Sequence, residues 1–99
     1  MSIYSVWEFR FPEQNAQEGL GVAEDIWRDM LSFEGYLGHE LVRDLDDTGH
    51  LLVVSRWTTR QHADDSLVEY AGHPNARRAE QLVREPRGRF VGKAVPRSA

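Results

Sequence analysis

The spacing of apolar residues along the chain switches between a period of about two and one of about 3.6, and the switches mark out its elements. Ile3 to Phe11 is dense in aromatic and β-branched residues (Tyr4, Val6, Trp7, Phe9, Phe11) and predicts a strand that Pro12 ends. Asn15 followed by Glu18 has the spacing of a capping box, and Ala16, Leu20, Ala23, Ile26, Trp27 and Met30 then fall on one helical face. Gly19 and Gly21 lie early in that helix, where glycine costs about 1 kcal/mol against alanine. The opening turns are therefore expected to be irregular or pressed against a neighbour. Phe33-Glu34-Gly35 stops the helix. Tyr36 to Leu45 and His50 to Trp57 read as two strands joined by the turn Asp46-Asp47-Thr48-Gly49. A threonine cap within Thr58-Thr59-Arg60-Gln61 opens a second amphipathic helix through Ala63, Leu67, Tyr70 and Ala71. Pro74 breaks or restarts it, and Ala76, Ala79, Leu82 and Val83 give the continuation its own apolar stripe. Glu85-Pro86 ends that helix, and Arg87 to Val95 is a last strand.

Strand-helix-strand-strand-helix-strand is the split βαβ order. It predicts an α+β, ferredoxin-like βαββαβ fold, a four-stranded antiparallel sheet with helices on one face, with residues 1–99 as a single domain. With the hairpin turn centred on Asp47-Thr48, Leu41 pairs with Val54 and Arg43 with Leu52 on one face. Val42 then pairs with Val53, Glu40 with Ser55 and Gly38 with Trp57 on the other. A bulge would slip this register by one and exchange the faces. In either register the third strand is apolar on both sides, Leu51 and Val53 on one, Leu52 and Val54 on the other. A sheet with one wet face alternates apolar and polar. The face the helices leave bare, with Leu37, Leu41, Leu52 and Val54 expected on it, therefore calls for a cover, and a second copy in a homodimer is the economical one.

Composition narrows the function classes. A chain of 99 residues buries a thin core of its own, roughly 60–70 % of the unfolded surface, which also favours association. The absence of cysteine excludes disulfides and thiolate metal sites. Met1-Ser2-Ile3-Tyr4 leads straight into patterned sequence with no basic leader and no long apolar stretch. That argues against a signal peptide or a membrane span and makes the cytoplasm the expected compartment. A net charge of −4 argues against nucleic-acid binding. The charge is uneven: residues 1–76 hold fourteen acids and five bases, whereas 77–99 hold two acids (Glu80, Glu85) and seven bases. The basic segment is either a solvated face or a means of guiding an anionic ligand or a partner's acidic half.

Three stretches together resemble a known family: Phe33-Glu34-Gly35-Tyr36-Leu37-Gly38, Glu40-Leu41-Val42-Arg43-Asp44, and Leu52-Val53-Val54-Ser55-Arg56-Trp57-Thr58-Thr59. With Tyr70-Ala71-Gly72-His73-Pro74 and Arg77, they resemble the antibiotic biosynthesis monooxygenase family of the dimeric α+β-barrel superfamily. The likeness covers about residues 3–95 and is clearest over 33–78. It is a spacing of glycine, hydrophobic residues and one tryptophan rather than a catalytic signature. The resemblance implies a pocket between sheet and helices with Trp57 on its wall, in a family of cofactor-independent oxidases of aromatic polyketides, haem-degrading enzymes and quinol oxidases. The asparagine that the polyketide oxidases place four residues before the tryptophan is here Val53. Their helical tyrosine matches Ala63, or His62 if the alignment slips by one, and their arginine matches Arg77 if no gap intervenes. The histidine ligand of the haem-degrading members falls in Asn75-Ala76-Arg77-Arg78, which disfavours haem. Fold and pocket carry over, and the catalytic set does not.

Candidate chemistry rests on few groups. His39, His50, His62 and His73 lack metal-ligand spacing, so neither a metal nor another cofactor is expected. His62, in the first turn of the second helix, could move protons near neutral pH, or it is an exposed polar residue. Glu40, opposite Ser55 in the register above, could act as a base if burial raised its pKa, or it is a solvated carboxylate. His62 and Glu40 are the expected catalytic pair. Trp57, Tyr36, Tyr70, Arg77 and Ser55 are the expected contacts to a small aromatic molecule, with ordinary packing or solvation as the alternative for each. The reading is a cofactor-independent, monooxygenase-like enzyme acting on a polyketide- or quinol-type ring. The alternatives are a non-catalytic binding or accessory protein and a polyketide cyclase.

Overall fold

The computed structural model describes residues 2–96, and its elements follow the predicted order. They are β1 (Ile3–Arg10), α1 (Ala16–Asp29), β2 (Tyr36–Arg43), β3 (His50–Trp57), α2 (Arg60–Tyr70), α3 (Pro74–Leu82) and β4 (Gly88–Lys93). The strands make one antiparallel sheet in the order β2-β3-β1-β4, the ferredoxin-like arrangement. Pro74 restarts the second helix as a separate one, occupying its first position behind His73, whose ring nitrogen accepts the Asn75 backbone N–H.

Local entries differ from expectation in two places. Asn15 stands at the N-cap of α1 but its side chain makes no capping bond, because the chain enters through a 3-10 turn over Glu13–Asn15. The Asn15 N–H is already spent on the Pro12 carbonyl at 2.8 Å. At α2 the cap is Thr59, whose hydroxyl accepts the His62 N–H at 3.1 Å. Gly19 is pressed close, as expected: a Cβ there would lie 2.6 Å from the Phe11 ring. Gly21 has open space around it.

The hairpin register is one residue off the expected one. Leu41 pairs with Val53, Val42 with Leu52 and Glu40 with Val54, because the hairpin turn centres on Asp47, with the Asp44 N–H donating to the His50 carbonyl at 3.0 Å; a further one-residue shift falls at Leu37, between Tyr36 and Gly38. Gly38 takes a φ of +151°, a conformation that glycine alone adopts readily, and so makes the bulge possible. The turn register faces Leu41 to the helices, where it packs against the core, and turns Glu40 outward. On the helix side Phe9, Leu51, Val53 and Trp57 meet Ala23, Ile26 and Trp27 of α1 and Ala63, Tyr70, Ala76, Ala79 and Leu82 of the later helices. Phe9 stacks on Phe11 at 5.7 Å and meets Trp27 edge-on at 6.0 Å. The opposite side carries Val6, Val42, Leu52, Val54 and Phe90, with Val42 and Phe90 well exposed.

Candidate functional site

A buried cavity of about 130 Å³ lies between the sheet and the helices. Ser5 and Trp7 of β1 and Ser55 and Trp57 of β3 form its floor, because alternate residues of adjacent strands face the same way. Ile26, Trp27 and Met30 wall one side, and α2 roofs it with Ala63, Ser66, Leu67 and Tyr70. The small residues at 63, 71 and 76 leave the gap that larger side chains would fill. The chain's three tryptophans all border this space.

Trp57 is held by a short relay. Its indole N–H donates to the Ser55 hydroxyl at 3.0 Å, and that hydroxyl donates to the Ser5 carbonyl at 3.0 Å. Both side chains are almost fully buried, so the relay satisfies polar groups that would otherwise be costly to bury. It also fixes the plane of the indole, which Tyr36 braces edge-on at 5.4 Å.

Tyr70 presents a wall and commits its hydroxyl elsewhere. The phenol donates to Asp29, receives the Asn75 amide at 3.3 Å, and its ring stacks on His73 at 4.4 Å. Burial, and then the Asp29 carboxylate, push its pKa up to about 12, so it stays a proton donor to Asp29. Ser66 likewise spends its hydroxyl on its own helix, on the Ala63 carbonyl at 2.7 Å.

Of the residues singled out from the sequence, the structure brings Trp57, Ser55 and Tyr70 together at the cavity. The other four stand elsewhere. Tyr36 lies behind Trp57 with its hydroxyl on His39; burial raises its pKa and lowers that of His39. His62 packs against Gly35, whose φ of +81° and missing side chain make room for the ring. Its Nδ1 lies 2.9 Å from the Thr58 hydroxyl and 2.8 Å from that of Thr59, outside the cavity. Glu40 is exposed on the far face, where the register slip put it. Arg77 is exposed on α3 and does not border the cavity.

What sequence reasoning missed is the mouth. Glu80 of α3 and Arg87, just before β4, are the charged side chains on the cavity lining, and they pair at 3.2 Å. The basic C-terminal segment was the available signal, and much of it finds acids within the chain: Arg78 with Glu18, Arg84 with Asp47, and Arg89 with Asp64. No group of three His, Cys, Asp or Glu residues able to hold a metal occurs among the described residues. No helix among them is long and apolar enough to cross a membrane.

A ferredoxin-like sheet with a hollow under its helices and a tryptophan at the end of the third strand defines a recognisable class. The sequence profile of the antibiotic biosynthesis monooxygenase family matches residues 2–69, and the chain belongs to that family. Solved structures share the fold at low identity. A variant of SnoaB, a cofactor-independent oxygenase from Streptomyces nogalater, superposes with a TM-score of 0.84 at 17% identity, covering 97% of this chain and 95% of that one. An antibiotic biosynthesis monooxygenase gives 0.82 at 15%, covering 95% and 99%. A conserved protein from Methanosarcina mazei Go1 gives 0.75 at 12%, covering 92% and 90%. No curated protein matches the chain.

Proposed function

We propose that the chain is a monooxygenase-like enzyme that acts without a cofactor on a small aromatic molecule of quinol type, bound in the cavity under α2. The cavity carries this reading: it is buried, walled by three indoles, and belongs to a chain of the antibiotic biosynthesis monooxygenase family. Its volume of about 130 Å³ is close to that of cavities that hold one benzene ring, about 150 Å³, so a single ring suits it. Trp57 and Tyr70 flank the ring, and the Ser55 hydroxyl, whose hydrogen is spent on the Ser5 carbonyl, can accept from the ring's hydroxyl.

An electron-rich phenolate, of the kind a quinol-type ring supplies, can pass an electron to dioxygen unaided. Net, the ring carbon para to the hydroxyl takes one oxygen atom. The second oxygen leaves as water with the two displaced hydrogens, so a phenol becomes a quinone with no outside reductant. The protein's part is to hold the ring and dioxygen together in a dry space. Incubation with phenol under isotopically labelled dioxygen tests this: one labelled atom is expected in the quinone, and no rate above the buffer blank would sink the reading. His62→Ala and Glu40→Gln are expected to leave the rate unchanged, since both groups lie outside the cavity. That same placement favours the second reading, binding without turnover, which calorimetric binding of phenol with no oxygen uptake would identify.

The working unit is a homodimer closed through the bare face of the sheet. Val6, Val42, Leu52, Val54 and Phe90 support this, as an apolar centre with no helix over it. Sedimentation at micromolar concentration should give twice the 11.4 kDa chain mass, and a lone chain would overturn it.

A further inference from the structure

Glu80, Arg87 and Trp7 border two spaces at once, the buried cavity and a surface groove of about 570 Å³ that continues along Val83 to Pro86. They are the entrance. The Arg87 guanidinium sits 5.1 Å from the Trp7 ring centre and that of Arg89 5.6 Å from it, so two cations gather around one indole. Arg89 is paired with Asp64 at 3.2 Å, and its Nε is buried without a hydrogen-bond partner.

The two members of the Glu80–Arg87 pair are held unequally. The Arg87 side chain is 21% exposed and lies over Trp7, whereas that of Glu80 is 65% exposed. An exposed ion pair of this kind contributes little, so Glu80 can leave for water cheaply. Arg87 stays, with a planar fork of five donors of which one is spent on Glu80.

We propose that Arg87 is the acid-binding residue of this cavity and that Glu80 is a stand-in for the carboxylate of its ligand. The ring enters the hollow while a carboxylate on it takes the place of Glu80 on the guanidinium. The ligand is thus a single-ring hydroxybenzoate-type acid rather than a neutral phenol. This rests on the cavity being the ligand site and deepens that reading.

Calorimetry on the full chain with 3-hydroxybenzoate and with phenol, the same ring without the carboxylate, separates the two. Wild-type protein is expected to bind 3-hydroxybenzoate about tenfold or more tighter than phenol, the discrimination a charge-assisted fork supplies. Arg87→Gln should bring 3-hydroxybenzoate down to the level of phenol while phenol is unchanged, and Arg87→Lys should fall between. Glu80→Gln, which removes the competing carboxylate and cannot harm the core, should raise affinity for 3-hydroxybenzoate several-fold and leave phenol alone. Equal binding of the two compounds, a preference that survives Arg87→Gln, or no gain in Glu80→Gln would overturn the proposal and leave the cavity reading standing. Failure of both compounds to bind would overturn both.

Discussion

The two faces of the sheet are both apolar and are used in opposite ways. Under the helices, Phe9, Leu51, Val53 and Trp57 are sealed, yet polar groups reach that layer: Ser5 and Ser55 in the floor, Glu80 and Arg87 at the mouth. On the bare face Val6, Val42, Leu52, Val54 and Phe90 form an apolar cluster ringed by charge: Glu40 beside Val54, Glu8 beside Leu52, Arg56 beyond them, and His50, which bridges Asp44 at 2.8 Å and Glu8 at 2.6 Å. A covered layer that tolerates polar groups around a void has the make-up of a ligand site. A smooth apolar centre with a charged rim has that of a subunit interface. Apolar content alone does not distinguish them; the placement of the polar atoms does.

The sharpest way to break the comparison is a charge at the centre of the bare face. In the proposed dimer, Val54→Glu would bury an unpaired carboxylate in each subunit, at a cost of about 3–5 kcal/mol per charge. Sedimentation should then show separated chains with an unchanged circular dichroism spectrum. Trp57→Ala attacks the other face. It should lose about 3–5 kcal/mol by truncation of a buried indole, read as a lowered urea midpoint. Leu52→Ala, from the opposite side of the same strand, should cost clearly less in the separated chain. Gly19→Ala is smaller: its Cβ would overlap the Phe11 ring at 2.6 Å, and overpacking of this kind costs about 1–3 kcal/mol.

The smallest effect belongs to the rim. Hydrogen bonds donated by the His50 ring to Asp44 and then to Glu8 raise the His50 pKa above 6.5, and Asp44 is lowered below 3.8 chiefly by accepting from His50. A raised histidine contributes stability that is fully present below its unfolded value and is lost as pH rises through its folded one. The lowered aspartate contributes above its unfolded value and loses that contribution as pH falls. Thermal melts of wild-type and His50→Gln protein should therefore differ most where the two windows overlap, between pH 3.8 and 6.5, and converge as pH rises through the raised His50 value.

The order of elements was legible because each helix carries a clear stripe and each strand a dense apolar run. The register was not, for a particular reason. Leu51, Leu52, Val53 and Val54 give the third strand no preference between its faces, so a turn centred on Asp47 instead of on Asp47-Thr48 costs no hydrophobic mismatch and leaves no trace in the pattern. That slip alone removed Glu40 from the cavity. Trp57, Ser55 and Tyr70 could be singled out because they lie close to the matched stretch. Trp7, Glu80 and Arg87 could not, since the pairing of β1 with β4 and the approach of α3 bring them together from distant parts of the chain.

Every indole in the molecule borders the same hollow. Excited at the red edge of the indole band, where the tyrosines do not absorb, the emission of the chain is therefore a one-site optical signal. Whatever enters that space should report its arrival without a label.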